Sequence, residues 1–222
     1  MVNDHNHDND SDVSWPKTAA SQMAESRIAL CARTAGWYHR AMDQRDQWLL
    51  CDETALLKDC RVDTYKSSGP GGQRKNKVET AVRLVHEPSG ISAQGQQTRS
   101  QIRNKTLALR NLRMYIACAC RRPQDLNQLT LPDEITDCFQ LPRPGSANHV
   151  KRRLSLPSGN RCFWPVAAFV LDVFDAAEGQ LSRASGALGI STANLAAFLR
   201  TDRHLLAAGQ AIRKAHGHTP LR

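Results

Sequence analysis

The chain has 222 residues, of which 41% are apolar, so it can bury one or two compact units and is not a purely disordered or fibrous protein. It carries 30 basic and 21 acidic residues, a net charge of +9 that indicates a polyanionic partner. The surplus is concentrated, because residues 61–122 hold 13 basic and 3 acidic side chains. No apolar stretch reaches the ~20 residues of a membrane span, and the acidic N-terminus is unlike a secretory signal, so we expect a cytoplasmic protein without membrane association.

The seven cysteines argue against a disulfide framework. They are odd in number and include no Cys-x-x-Cys pair. Cys118 and Cys120 lie two residues apart on a predicted helix and therefore face different directions. The sequence thus suggests no zinc site, and we expect neither a metal nor a cofactor.

The first 59 residues divide into two predicted segments. Residues 1–14 are polar and acidic, which is typical of a disordered tail. Residues 15–59 form a predicted helical lead-in, in which Asp52 is placed to cap a short helix that ends at Asp59.

Residues 60–95 have the pattern of strands around a glycine-rich segment. Residues 60–65 are rich in β-branched and aromatic side chains and lead into Ser-Ser-Gly-Pro-Gly-Gly-Gln, which is unsuited to regular structure. Residues 80–86 alternate apolar and polar side chains, which is typical of a strand. Residues 87–90 are typical of a tight turn, and residues 91–95 form a predicted second strand antiparallel to the first. We therefore predict a small antiparallel sheet.

One long helix follows the strands. Ser100 is placed to cap it, and it runs to about Ala119 with a basic outer face. Its predicted apolar face consists of Ile102, Leu109, Leu112 and Ile116. A small sheet with one packing helix predicts an α+β fold.

The last hundred residues divide into a predicted linker and a separate C-terminal helical module. Residues 122–160 are rich in proline and glycine and include the basic run Lys151-Arg152-Arg153. Residues 161–222 have helical patterns at 166–177, 181–188, 192–201 and 202–215.

The middle two of these C-terminal helices resemble a helix-turn-helix. Ser185, Gly189 and Leu195 occupy the characteristic positions, although alanine is usual in place of the serine and Arg200 is the only base of the second helix. Two roles stay open for this module, namely sequence-specific DNA binding and helical docking without DNA binding.

The glycine-rich segment carries the candidate chemistry. Pro70 presets its own backbone angle, and Gly71 and Gly72 lack Cβ atoms, so the main chain can press closely against a ligand. Gln73 follows. The Lys-Ser/Thr ending of a nucleotide-binding P-loop is missing, which disfavours nucleoside triphosphate binding.

Four sequence blocks in a fixed order carry a resemblance to a known family. They are Ser67–Gln73, Asn76–His86, Pro88–Ile91, and Arg99-Ser100-Gln101 with Asn104-Lys105. In this order they resemble the catalytic domain of bacterial-type class I peptide chain release factors, which contains a Gly-Gly-Gln (GGQ) motif. The resemblance assigns residues 60–121 to a GGQ catalytic domain.

This resemblance implies hydrolysis of the ester that joins a nascent peptide to tRNA. The catalytic residues would be Gly71, Gly72 and Gln73, with the main-chain amide of Gln73 stabilising the tetrahedral oxyanion. Ser68, Gly69 and Pro70 would support the loop. The implied partners are peptidyl-tRNA and the large-subunit RNA of the ribosome at the peptidyl-transferase centre, and we expect a monomer.

Basic and polar residues around the loop are the candidate RNA contacts. Contacts of this kind with phosphates hold a protein in place without reading sequence. The candidates are Lys66, Arg74, Lys75, Asn76, Lys77, Arg83, Arg99, Ser100, Gln101, Arg103, Asn104 and Lys105.

Two departures from the family pattern shape the functional prediction. Release factors of this family read the stop codon through a larger domain upstream, and only about 60 residues precede the resemblance here. We therefore expect ribosome rescue without stop-codon decoding. Arg74 also replaces the His or Asn that is common after the Gln.

Two alternatives to this reading stay open. The first is a non-catalytic ribosome- or RNA-binding factor that keeps the release-factor fold. The second is a DNA-binding regulator that acts through the C-terminal helices.

Overall fold

The computed structural model describes residues 44–66, 79–140 and 151–221. The predicted acidic tail and most of the predicted helical lead-in lie outside these residues. Residues 44–50 are helical (α1), and a second helix, α2, covers Glu53–Lys58. The side chain of Asp52 accepts a hydrogen bond of 2.6 Å from the Ala55 amide, which confirms the predicted cap.

Three strands form the antiparallel sheet that the alternating pattern predicted. They are β1 (Cys60–Tyr65), β2 (Ala81–His86) and β3 (Ile91–Gly95), in the order β1-β2-β3. The β2–β3 turn ends at Gly90, whose φ of +67° suits glycine. One face of β2 and β3 is buried, which follows from the two-residue period of a strand.

Helix α3 (Gln101–Ala119) packs on β2 and β3. Its side chains Leu109, Leu112 and Ile116 are buried as predicted. Ile102, predicted on the same face, is instead 80% exposed. It lies in the first turn beside the edge strand β1, where it lines a shallow, open cavity of about 220 Å³ together with Val62 and Val82.

The helix and the sheet approach most closely at Gly95. A Cβ atom at this position would lie 2.0 Å from the carbonyl oxygen of Asn104, a distance that no real Cβ contact shows. Only glycine therefore lets β3 pack directly on the backbone of α3.

The predicted linker contains regular structure. Within it the structure describes a helical turn, α4 (Asp133–Thr136), and two short antiparallel strands, β4 (Phe139–Gln140) and β5 (Arg153–Leu154). Ile135, Phe139 and Leu154 are buried. The hydrophobic core therefore continues through these described parts of the segment.

Four helices complete the fold: α5 (Phe163–Ala176), α6 (Leu181–Leu188), α7 (Thr192–Leu199) and α8 (Arg203–Ala215). Every residue of α5 from Phe163 to Phe174 is buried. This helix contacts α3, α6 and α8, so the C-terminal helices share one core with the sheet. The predicted segment boundaries stay predictions. In the described residues, no helix is both long and apolar enough to cross a membrane.

A buried ionic cluster, which we call the Asp172 cluster, joins helix α1, the residues that follow α3, and helix α5. The Asp172 carboxylate in α5 accepts hydrogen bonds from Arg45 Nη1 of α1 at 2.8 Å and from the Arg122 main-chain amide at 3.0 Å. Arg121 Nη1 lies 3.6 Å from the same carboxylate. Burial raises the pKa of Asp172 to about 6 while Arg45 and Arg121 oppose the rise, so the carboxylate is ionised at neutral pH.

We expect Asp172→Asn to lower the free energy of unfolding by about 3–5 kcal/mol, because it leaves the buried Arg121 without its counter-charge and Arg45 with only the partly exposed Asp46. Asp46→Asn is the matched control, since Asp46 contacts the same Arg45 but its side chain is 32% exposed. Because Asp46 keeps contact with solvent, its loss should cost less, on the order of 1 kcal/mol. Urea unfolding of the two variants measures the difference, and equal losses would contradict the role given to Asp172.

We also expect Gly95→Ala to lower the free energy of unfolding by about 1–3 kcal/mol or more, because the added methyl group forces β3 away from α3. Gly186→Ala in α6 is the control. A Cβ there meets nothing within 4 Å, so alanine should stabilise the helix by about 0.5–1 kcal/mol. Thermal unfolding of both variants tests whether stability falls in Gly95→Ala and rises in Gly186→Ala.

Candidate functional site

The glycine-rich segment connects two paired strand ends. Tyr65 ends β1 and pairs with Ala81, which begins β2, so residues 66–80 are the connection of a β-hairpin. Residues 67–78 lie outside the described residues. That stretch includes Gly71, Gly72 and Gln73, so the described site consists of the strand ends and the residues that hold them.

Tyr65 ties the three strands together on the solvent face of the sheet beside the connection. Its hydroxyl donates a 2.8 Å hydrogen bond to the Gln94 side chain in β3. The guanidinium of Arg83 in β2 lies 5.5 Å from the centre of the Tyr65 ring, a cation–π contact. Burial raises the pKa of Tyr65, so the phenol stays a hydrogen-bond donor at neutral pH.

Asn104 of α3 holds the other end of the connection. Its side chain is fully buried, and its Nδ2 donates to the carbonyl oxygens of Thr80 at 2.7 Å and Thr98 at 2.8 Å. Its Oδ1 accepts from the Thr98 amide at 2.9 Å and from the Thr98 hydroxyl at 3.0 Å. All four hydrogen-bonding positions of the amide are therefore occupied within the protein.

This arrangement corrects one predicted site residue. Asn104 was placed among the RNA contacts, but a buried amide whose donors and acceptors are all used has nothing left for a ligand. Its bond to Thr80 instead anchors the chain where the glycine-rich connection enters β2. Asn104 is a positioning residue.

The remaining described candidates form an exposed basic surface around the connection. Four of them, Lys66, Arg83, Arg99 and Arg103, are exposed. Among the residues that the structure describes, no carboxylate lies within ion-pair distance of these four cations. Gln101 is exposed, and Lys105 is half-buried beside the shallow cavity. The Ser100 hydroxyl accepts a hydrogen bond from the Arg103 amide as the predicted helix cap.

The buried histidine of the sheet lies away from the connection. His86 ends β2 and pairs with Cys60 and Ile91 at the opposite end of the hairpin. Its Nδ1 shares a 2.7 Å hydrogen bond with the Ser89 hydroxyl, and its ring contacts Trp48 edge to face. Burial lowers the pKa of His86, so it is a neutral core residue at pH 7. Over residues 44–66, 79–140 and 151–221, no group of His, Cys, Asp and Glu side chains could hold a metal ion.

Comparison with known proteins identifies the part of the chain that contains this site. Residues 54–131 match the model of the RF-1 domain. A peptide chain release factor 2 from Sulfurovum sp. is 54% identical over 56 residues, and the mitochondrial peptide chain release factor 1 of Homo sapiens is 55% identical over 56 residues. We call residues 54–131, which match this model, the RF-1 domain.

The similarity is confined to this domain. The two matched segments each cover 25% of this chain, and they cover 15% and 13% of the respective relatives. A peptide chain release factor 2 from Bordetella avium matches over 79 residues at 46% identity, which is 36% of this chain and 22% of that protein. Beyond the RF-1 domain these relatives therefore give no guide to this chain.

Most predicted site residues of the RF-1 domain fall in the connecting segment and stay predictions. The residues outside the described ranges are Ser68, Gly69, Pro70, Gly71, Gly72, Gln73, Arg74, Lys75, Asn76 and Lys77. Sequence reasoning missed the parts played by Tyr65 and Asn104, since a polar residue on an amphipathic helix is normally exposed. The glycine at the end of the predicted strand β3 was the one available signal of close backbone approach.

We expect Asn104→Ala to lower the free energy of unfolding by at least about 2 kcal/mol, because the half-buried residues Thr98 and Thr80 lose four hydrogen bonds to the buried amide. Asn111→Ala is a matched control in the same helix. Asn111 is half-buried and donates one hydrogen bond, of 2.9 Å, to the Gln94 carbonyl oxygen, so about 1 kcal/mol or less should be lost. Urea unfolding measures both, and an equal loss would contradict the anchoring role.

Proposed function

We propose that this protein is a cytoplasmic, ribosome-dependent peptidyl-tRNA hydrolase that acts without decoding a stop codon. The observation that carries the proposal is the intact Gly71-Gly72-Gln73 sequence in the β1–β2 connection of an RF-1 domain. Both ends of that connection are held by specific contacts, those of Tyr65 and Asn104.

The proposed chemistry is hydrolysis of the ester that joins the peptide to the tRNA. Water attacks the ester carbonyl, and negative charge develops on its oxygen in the tetrahedral intermediate. The main-chain N–H of Gln73 donates a hydrogen bond to that oxygen, and donors of this type lower a barrier by roughly 3–4 kcal/mol. Gly71 and Gly72 let the backbone approach the end of the tRNA without steric conflict from Cβ atoms.

The anchored strand ends support this mechanism. An oxyanion donor works only when it is held rigidly where the charge develops. The Asn104 bond to Thr80 and the contacts of Tyr65 hold the two strand ends that flank the segment carrying Gln73, and these fixed ends support the proposal of a preorganised donor.

The exposed cations of the RF-1 domain fit an RNA-walled site. Lys66, Arg83, Arg99 and Arg103 have no described carboxylate partner, so their charges are available for phosphates. We propose that they bind large-subunit RNA around the peptidyl-transferase centre and hold the loop at the peptidyl-tRNA ester.

We propose action without decoding because the described residues that flank the RF-1 domain pack against it. The described residues on either side of the RF-1 domain, among them Arg45 and Asp172, pack or bond into the same unit as α3. This favours a monomer whose described residues enter the tRNA site of stalled ribosomes as one unit.

The test measures release of labelled peptide from ribosomes stalled on an mRNA without a stop codon. We expect wild-type protein to release the peptide, and Gln73→Pro, which removes the N–H, to lose about 100- to 1,000-fold in rate. Gln73→Ala keeps the N–H and should lose much less, while Gly72→Ala should be strongly impaired. Ribosome co-sedimentation of all variants controls for binding.

Equal release by wild type and the Gly72→Ala or Gln73→Pro variants would contradict the catalytic role of the loop. Co-sedimentation of wild-type protein without any release would instead favour the non-catalytic ribosome-binding alternative.

A further inference from the structure

A second basic surface, formed by Lys151, Arg152 and Arg153, lies beside helices α6 and α7, outside the RF-1 domain. Helices α6 and α7 contact each other across a turn at Gly189, which has a φ of +67°. Their buried side chains include Leu188 and Leu195, so the pair is packed as a helix-turn-helix rather than as two independent helices.

Strand β5 is bound to this helix pair by three hydrogen bonds. The Asn194 side chain of α7 accepts from the Leu154 amide and donates to the Leu154 carbonyl oxygen, each at 2.8 Å. The Arg152 amide donates to the Gly189 carbonyl oxygen at 2.9 Å. The basic run Lys151-Arg152-Arg153 is therefore fixed beside the turn between α6 and α7.

The sequence that follows the basic run is free of acidic residues. Residues 151–171 contain four basic residues and no acidic residue, and within α6 and α7 the one charged side chain is Arg183, which pairs with Glu178 at 3.6 Å. Lys151, Arg152 and Arg153 are exposed, and among the described residues none of them forms an ion pair. Three neighbouring cations without counter-charges indicate a polyanionic ligand.

The outer face of α7 decides how such a ligand is recognised. Its exposed positions Thr192, Ala193 and Ala197 are small and carry no amide or guanidinium group that could read base edges in a major groove. The exposed Arg200 is the C-cap of α7, whereas a recognition helix contacts bases through its N-terminal residues. Binding would therefore depend on phosphates and on shape. Double-stranded RNA is recognised mostly in this way, across its wide and shallow minor groove.

We propose that α7 and the run Lys151-Arg152-Arg153 form a second nucleic-acid interface that binds double-stranded RNA independently of sequence. The choice of RNA over DNA rests on the proposed function on the ribosome. The surface lies on α7 and β5, outside residues 54–131, so it adds a separate contact to that of the GGQ loop.

The test measures binding of the full-length protein to a labelled RNA duplex of about 20 base pairs as a function of salt concentration. Lys151→Gln/Arg152→Gln/Arg153→Gln should weaken binding about tenfold or more and reduce the salt slope by about 2–3. The matched control is Lys58→Gln/Arg61→Gln/Lys214→Gln, which removes the same charge from exposed positions elsewhere and should change binding far less. Repeating the comparison with Arg99→Gln/Arg103→Gln removes the contribution of the RF-1 surface.

A second pair of variants probes α7 itself. Ala193→Glu places a carboxylate in the first turn of a helix, where it is tolerated, and should weaken RNA binding several-fold. Ala193→Gln has the same size without the charge and should bind like wild type.

Equal affinity and salt slope for the two triple variants, or for the two Ala193 variants, would overturn the proposal. Tighter binding to a DNA duplex of the same length would overturn the assignment to RNA. The assay contains no ribosome and no peptidyl-tRNA, so its outcome is separate from that of the peptide-release test.

Discussion

The arrangement of this fold depends on the buried ion pair between Asp172 and Arg45. Asp172 lies in a helix that is apolar along nearly its whole length, and an ionised group there is stable only with partners. Arg45 comes from the beginning of the described chain, and Arg122 offers its amide just after α3 ends. One charge thus joins three parts of the chain, namely α1, the residues that follow α3, and α5.

The Asp172 cluster also changes how the charge of the chain is understood. Residues 61–122 have 13 basic side chains, yet Arg121 is buried and donates to the carbonyl oxygens at the end of α3. Arg113 similarly donates to the Cys51 carbonyl oxygen at 2.7 Å. Part of the positive charge is therefore used inside the protein, and the surface available to RNA is smaller than the count indicates. A charge total predicts the class of partner but not the surface that meets it.

In the candidate site, the strands and helix α3 position the ends of the connecting segment. Functional residues are carried on a loop, and rigid elements place its ends. Here Gly95 brings β3 against the backbone of α3, and that contact lets Asn104 reach the carbonyl oxygen of Thr80. The position of Thr80, where the β1–β2 connection enters β2, therefore depends on Gly95 and on the buried amide of Asn104.

Local patterns were predicted well because they act over a few residues. The cap at Asp52, the turn before Ile91 and the helix begun by Ser100 all follow from neighbouring side chains, and the structure confirms them. Ile102 was wrongly assigned to the core because a helical period gives the face of a residue but not how far the sheet beneath it extends.

By itself, the sequence determined the α+β pattern, the RF-1 resemblance and the glycine-glycine-glutamine segment, since each lies in contiguous residues. Only the tertiary structure decided that Asn104 is an internal anchor and that Asp172 meets Arg45. These bonds join residues 24 and 127 positions apart, and no local pattern encodes which distant groups will meet. The same is true of Arg152, which becomes part of a surface only because its amide reaches Gly189 in the turn between two later helices.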